Sequence, residues 1–201
     1  MRREFHVRFC EGPRVRFPRA TRLVMTFERR DDAERVMDVL GKRMGRFGLT
    51  LHPDKTRLLP FRRPPREQTG GKGPATFDFL GFTLHWQRAR SGRWGMMCKT
   101  KSARLRRSVQ AVADWCRRHR HLPVRAQHTA LTRRITGHFN YFGVSGNYRC
   151  LLLLVEEVKR VWHKWLRRRS QRVHLTWEKF AKMLLRLPLP RPRVTVRIWG
   201  T

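Results

Sequence analysis

The sequence predicts an α+β chain, in which short strands surround one helix before residue 100 and helices alone follow. Three observations carry this reading. Apolar residues recur at helical spacing over 31–47, and again with few breaks from Lys101 onward. Between these stretches lie strand-like runs punctuated by His52-Pro53-Asp54, Pro64-Pro65, Gly70-Gly71 and Ser91-Gly92. A hydrophobic fraction of 40%, with 7 Trp and 12 Phe among 201 residues, supplies enough apolar side chain for a core, so the chain should fold as one domain or two small ones.

The first helix is set by Ala33, Val36, Met37, Leu40, Met44 and Phe47, with Asp31 and Glu34 spaced as a capping box and Gly48 placed as the stop. Leu49-Thr50-Leu51 and the run 56–61 read as two brief strands around a tight turn, and 62–74 as a flexible loop. Over 77–86 both alternating sets are mostly apolar, which predicts one strand covered on both faces. A hairpin loop over 88–93 leads to a last strand over 94–98.

Beyond residue 100 three stripes mark three helices: Leu105, Val109, Val112, Cys116 and His119; Leu131, Ile135 and Phe139; and Leu151, Val155, Val158, Trp162 and Trp165. The third stripe predicts Trp162 and Trp165 as core. Pro123 suits a helix start, Thr176 suits the N-cap of a fourth helix carrying Phe180, Met183, Leu184 and Leu187, and Pro188 and Pro190 end the series.

Charge points to the partner. There are 47 basic against 14 acidic side chains, a formal net charge of +33, and Arg far outnumbers Lys. Such a balance excludes a neutral small-molecule binder as the default and favours a polyanion, because the planar guanidinium suits phosphate recognition and base stacking. The helical part is the more cationic, with 24 basic and four acidic residues over 101–201. Two basic surfaces are expected to follow a nucleic-acid backbone: Arg104, Arg106 and Arg107, with Arg117, Arg118 and Arg120 at the end of the same helix where they also suit capping of its dipole, and the set Lys159, Arg160, Lys164, Arg167, Arg168 and Arg172. Like charges at i,i+4 destabilise a helix unless an anion is bound, and few acids stand near enough to neutralise these.

Other chemistries find no support. Gly143-Val144-Ser145-Gly146-Asn147 lacks the closing glycine of a nucleophile elbow and falls between helices. The nine histidines follow no metal-binding spacing and read as RNA contacts or surface residues, and Cys10, Cys98, Cys116 and Cys150 as reduced thiols. Asp31-Asp32 is the only adjacent aspartate pair, and its place at a helix start explains it as capping. The longest aliphatic run, 151–155, is far short of the ~18 residues a membrane span needs.

Four segments in order carry a resemblance to a known family: Phe47-Gly48-Leu49-Thr50-Leu51-His52-Pro53-Asp54-Lys55-Thr56, Phe77-Asp78-Phe79-Leu80-Gly81-Phe82, Gly137-His138-Phe139-Asn140-Tyr141-Phe142-Gly143-Val144-Ser145-Gly146-Asn147, and Trp165-Leu166-Arg167-Arg168-Arg169-Ser170-Gln171. Over about residues 24 to 195 the chain resembles the C-terminal part of a group II intron reverse transcriptase/maturase. The resemblance implies an incomplete palm remnant over 1–100 and an all-helical thumb or maturase domain (domain X) over 101–201. It implies that the helical domain grips structured intron RNA and assists splicing, while palm and thumb together hold a template–primer duplex. Lys55 resembles the palm lysine near the incoming nucleotide's phosphates, and Phe79, Leu80 and Gly81 resemble the turn that supports the primer end.

The chain departs from the family where the chemistry would sit. In place of Tyr-Ala-Asp-Asp, whose aspartates bind catalytic magnesium, stands Arg19-Ala20-Thr21-Arg22-Leu23. Residues 1–22 fall outside the resemblance, and an out-of-frame reading of a lost palm accounts for them. No catalytic residue, metal ligand or cofactor is assigned here; Mg²⁺ belongs to the intact family. The expectation is a truncated, cytoplasmic member of the RNA-directed DNA polymerase family, left by a mobile element, that binds RNA without polymerising or cleaving DNA. Two rivals are a polymerase completed by a partner chain and a non-functional remnant that binds any polyanion.

Overall fold

A computed structural model describes residues 5–9, 23–52, 56–65, 75–169 and 175–197. The fold is α+β. A small antiparallel sheet and a hairpin-based sheet come first, and a mainly helical region of four helices follows. The chain divides into two compact units, residues 1–97 and 98–201.

In the first unit β1 (Phe5–Phe9) is the central strand of a sheet ordered β2-β1-β3, with β2 spanning Leu23–Phe27 and β3 spanning Arg57–Pro60. Both neighbours run antiparallel to β1, in registers that set Phe5 opposite Phe27 and opposite Pro60. The helix α1 (Arg30–Arg46) connects β2 to β3 across that central strand, a split β-α-β unit. Its Ala33 is fully buried, with Met25, Phe27, Met37, Leu40, Leu51 and Leu58 packed around it.

The ends of α1 behave differently. At the C-terminus the stop forms as expected: Gly48 has φ +68°, its N–H donates to Gly45, and the Leu49 N–H donates to Met44, a Schellman arrangement. The expected capping box does not form. The N-cap is Arg29 with no side-chain cap, Asp31 pairs with Arg29 at 3.4 Å, and Glu34 pairs with Arg30 at 2.6 Å. Carboxylates in the first turn still face the positive end of the helix dipole.

Two strand expectations are corrected. The run 49–51 contributes only a bridge at Leu51, and β3 pairs with β1, a strand the sequence reading did not place. The single strand expected over 77–86 is a hairpin of β4 (Phe77–Phe79) and β5 (Phe82–Arg88), with Phe79 opposite Phe82. Leu80 and Gly81 turn it with φ of 47° and 85°, positive at both central positions as a type I′ turn requires. The strand β6 (Trp94–Thr100) completes the sheet β4-β5-β6 after a turn in which Gly92 has φ +75°. The start of the expected flexible loop is packed. Next to Phe61, which is buried against Phe77 and stacks on Trp86 at 5.3 Å, Arg63 lies over the same Trp86 ring at 5.8 Å, Pro64 is buried, and Trp94 donates to the Pro65 carbonyl at 3.0 Å.

The second unit holds α2 (Ser102–Arg118), α3 (Val124–Phe142), α4 (Tyr148–Arg167) and α5 (Trp177–Arg186). The predicted stripes supply its core: Val112 and Cys116 from α2, Leu131, Ile135 and Phe139 from α3, and Leu151, Val158 and Trp162 from α4 are all buried. Burial pushes the Cys116 thiol up to about 12, so it packs as a neutral small apolar group. Pro123 is the N-cap residue of α3, and the Thr176 hydroxyl caps α5 by accepting from the Lys179 N–H. Phe180 docks α5 edge-on against Trp162, with ring centroids 5.7 Å apart.

Candidate nucleic-acid interface

The outer face of α4 is built by its spacing. Once Leu151, Val155, Val158 and Trp162 take the buried side, Arg160, Lys164, Arg167 and Arg168, at i, i+4, i+7 and i+8, share the opposite side and are exposed. Two cations of the expected set already have acidic neighbours: Lys159 pairs with Glu156 at 2.7 Å and Arg160 with Glu157 at 2.8 Å. The sequence reading underestimated this neutralisation. Among the described residues no carboxylate pairs with Lys164, Arg167 or Arg168.

Trp165 departs from its core assignment. It is only partly buried, and Arg168 and Lys164 lie 5.2 and 5.9 Å from its ring centre. The ring therefore acts as a shelf that orders two cations by their attraction to its face. Trp162, by contrast, is fully buried, and its indole N–H donates to Gln127 Oε1 at 3.0 Å.

Gln127 fixes a second basic region. Its Nε2 donates to the carbonyls of Arg120 and Leu122 at 3.2 and 2.8 Å, which holds the α2–α3 connection against α4. Arg169 donates to the His121 carbonyl at 3.2 Å. Together these bonds bring Arg117, Arg118 and Arg120, at the end of α2, beside the basic end of α4. Both helix ends carry the negative pole of a dipole, so part of this cation cluster serves capping.

The first basic set on α2 divides. Arg107 Nε donates back to the Ala103 carbonyl at 3.3 Å, and Arg106 stands on the far side of the helix from Ser108, by 100° per residue. Arg104 instead lines an open cleft of about 440 Å³ between α2, α3 and α4, together with Arg134, which lies over the Trp115 ring at 4.5 Å. The cleft floor is apolar, with Val112, Ile135, Leu154 and Val158. His138 stands in its wall, stacked on Phe142 at 4.5 Å, and its buried Nε2 has no hydrogen-bond partner among the described residues. Burial, helped by the Arg104 guanidinium, lowers the His138 pKa to about 4, so the ring is neutral at pH 7.

The other expected residues fall as follows. Phe79, Leu80 and Gly81 form the β4–β5 turn, whereas Lys55 and Arg172 lie outside the described residues. Several histidines are structural rather than surface contacts: His128 and His163 bond the carbonyls of Pro188 and Leu175 at 3.0 and 3.1 Å, and His119 stacks on Trp115. The 143–147 segment ends in a buried clamp at Asn147. Asn147 Nδ2 donates to Thr100 Oγ1 and the Phe142 carbonyl, both at 2.8 Å, and its Oδ1 accepts from the Thr100 N–H at 2.7 Å. Sequence reasoning missed Gln127, Asn147 and the cleft.

Arg19-Ala20-Thr21-Arg22 offers no carboxylate, and among the described residues no three His, Cys, Asp or Glu side chains stand together as a metal group. No described helix is long and apolar enough to cross a membrane. Comparison of the chain with protein-family models and with curated proteins gives no match.

Proposed function

We propose that the helical unit binds structured RNA through the outer face of α4 and the joined basic ends of α2 and α4. In this reading the chain corresponds to the C-terminal part of a group II intron reverse transcriptase/maturase, with palm sequence within residues 1–100 and the thumb or domain X over residues 101–201, and the protein assists intron splicing. The observation that carries it is the run of exposed cations at Lys164, Arg167 and Arg168 without acidic partners among the described residues. A helix that keeps such charges on one face gains from a phosphate track, because each phosphate contact releases condensed counterions. Recognition then follows backbone shape rather than linear sequence. The missing aspartates argue against polymerisation by this chain alone.

The test is binding to a structured group II intron RNA, to duplex DNA and to heparin at matched salt, with wild type and a Lys164→Ala, Arg167→Ala, Arg168→Ala variant. The intron RNA is expected to bind most tightly, and the variant's salt slope should fall by about two to three, close to one per lost phosphate contact. Equal affinity for all three polyanions would favour the remnant that binds without discrimination. Magnesium-dependent primer extension, by the chain alone or with a complementing fingers–palm chain, would return the active-polymerase reading.

A further inference from the structure

The cleft between α2, α3 and α4 has three properties that the cation stripe on α4 lacks. It is concave, its floor is apolar, and its wall holds His138, whose buried Nε2 has no hydrogen-bond partner among the described residues. Its volume of about 440 Å³ falls within the range of roughly 300 to 1,000 Å³ typical of small-ligand sites. Buried polar atoms are rarely left unpaired, because the loss of hydration is uncompensated until something supplies the bond. Among the described residues no carboxylate lines the cleft, while Arg104 and Arg134 both do.

Gly137 adds an independent observation. It sits inside α3, where glycine is disfavoured relative to alanine, yet a Cβ built there meets nothing within 4 Å. Packing does not demand glycine at this position. The missing side chain leaves the cleft wall open beside His138.

We propose that this cleft receives one unstacked nucleotide of a bound RNA, its base over the apolar floor and its phosphate on Arg104 or Arg134, with the His138 ring turning Nε2 out of its buried position to hydrogen-bond the base. The proposal rests on the RNA-binding reading and names the element it captures. A nucleotide joins the features the cleft joins: a flat ring with polar edges, and an anion whose oxygens suit a guanidinium. Single-stranded bulges and loops present bases in this form. The neutral state of His138 lets Nε2 donate or accept according to tautomer, so bases with either edge are admitted.

The test uses the full chain and three RNA hairpins: one with a single bulged 2-aminopurine, one with an abasic site at the bulge, and one fully paired. Wild type should bind the bulged hairpin about tenfold more tightly than the abasic one, with a change in 2-aminopurine emission. Gly137→Leu, which places a side chain in the cleft wall while favouring the helix, should bring that ratio to one and remove the emission change. His138→Ala should lower the ratio. Equal wild-type affinity for the bulged and abasic hairpins, or a ratio untouched by Gly137→Leu, would overturn the proposal while leaving RNA binding standing. Failure to bind any hairpin would overturn the RNA reading itself. Free AMP should compete for the emission signal only at millimolar concentration; competition at micromolar concentration would reassign the cleft to a free nucleotide and defeat the strand assignment.

Discussion

Asn147 shows what one side chain can hold. Both amide hydrogens and the carbonyl are engaged within the buried clamp on Thr100 and Phe142, so truncation strands several buried polar atoms at once. Asn147→Ala should cost roughly 2–4 kcal/mol, read as a fall in the urea midpoint of the helical unit. Asn147→Asp should not restore it, because the donors are lost; a loss below about 0.5 kcal/mol would contradict the clamp. His138 makes a second residue-scale prediction. Its folded pKa of about 4 lies below the ordinary 6.5, so as pH falls the unfolded chain takes up the proton first. The stabilisation from the neutral ring is complete above pH 6.5 and is lost as pH falls from there toward 4. For a half-buried ring, discounted for solvent screening, this is on the order of 1–2 kcal/mol. Urea midpoints of wild type and His138→Phe should converge or cross over that interval, and parallel curves would exclude the linkage. Neither role could be read from the chain alone. Asn147 and Thr100 are 47 positions apart, and neither the absent elbow glycine nor the resemblance carried by the segment around Asn147 points to Thr100.

Elements were legible in proportion to how regularly they bury a face. The four helices after residue 100 follow stripes that the structure buries, because a repeat near 3.6 reports one continuous contact line. The β4–β5 hairpin was hidden, since Leu80-Gly81 lacks the polar turn residues that mark such a loop and sits within an apolar run. β1 alternates Phe5, Val7 and Phe9, but it lies within residues 1–22, outside the resemblance, where no element is expected. Leu80 at φ 47° bears a conformation disfavoured for a residue with a branched side chain, by about 1 kcal/mol. Leu80→Asn should therefore raise the stability of the first unit by about that amount, and a loss would show that Leu80 contacts outweigh the strain. Gly143 obeys the opposite rule. A Cβ there would press on the Phe139 carbonyl and lie 2.9 Å from the Arg193 carbonyl, where the 193–196 segment closes on the α3–α4 connection. Gly143→Ala should destabilise the helical unit by about 2 kcal/mol or more, seen as a lower thermal midpoint; an unchanged midpoint would mean that the segment is not held there.

For the molecule as a whole, a net charge of +33 acts on folding and on binding in opposite senses. In the free protein the cations repel one another, and among the described residues only a few ion pairs, such as Arg30–Glu34 and Arg160–Glu157, relieve them. Added salt screens this repulsion, with a Debye length falling from ~10 Å at 0.1 M to ~3 Å at 1 M, so the free chain should become more stable as salt rises. RNA affinity should move the other way, because bulk salt reduces the entropy gained when counterions leave the phosphates. For a track of about six phosphate contacts, the loss between 50 and 200 mM salt is on the order of a thousandfold. Thermal midpoints of the free protein and dissociation constants for structured RNA, measured over the same salt series, should thus slope in opposite directions. The contrast separates two causes of weak binding at high salt, since an unfolding interface would lower midpoint and affinity together. If the midpoint falls alongside affinity, the cations stabilise the fold through bonds within the protein, as Arg169 does at the His121 carbonyl, and the exposed face of α4 is then no phosphate track.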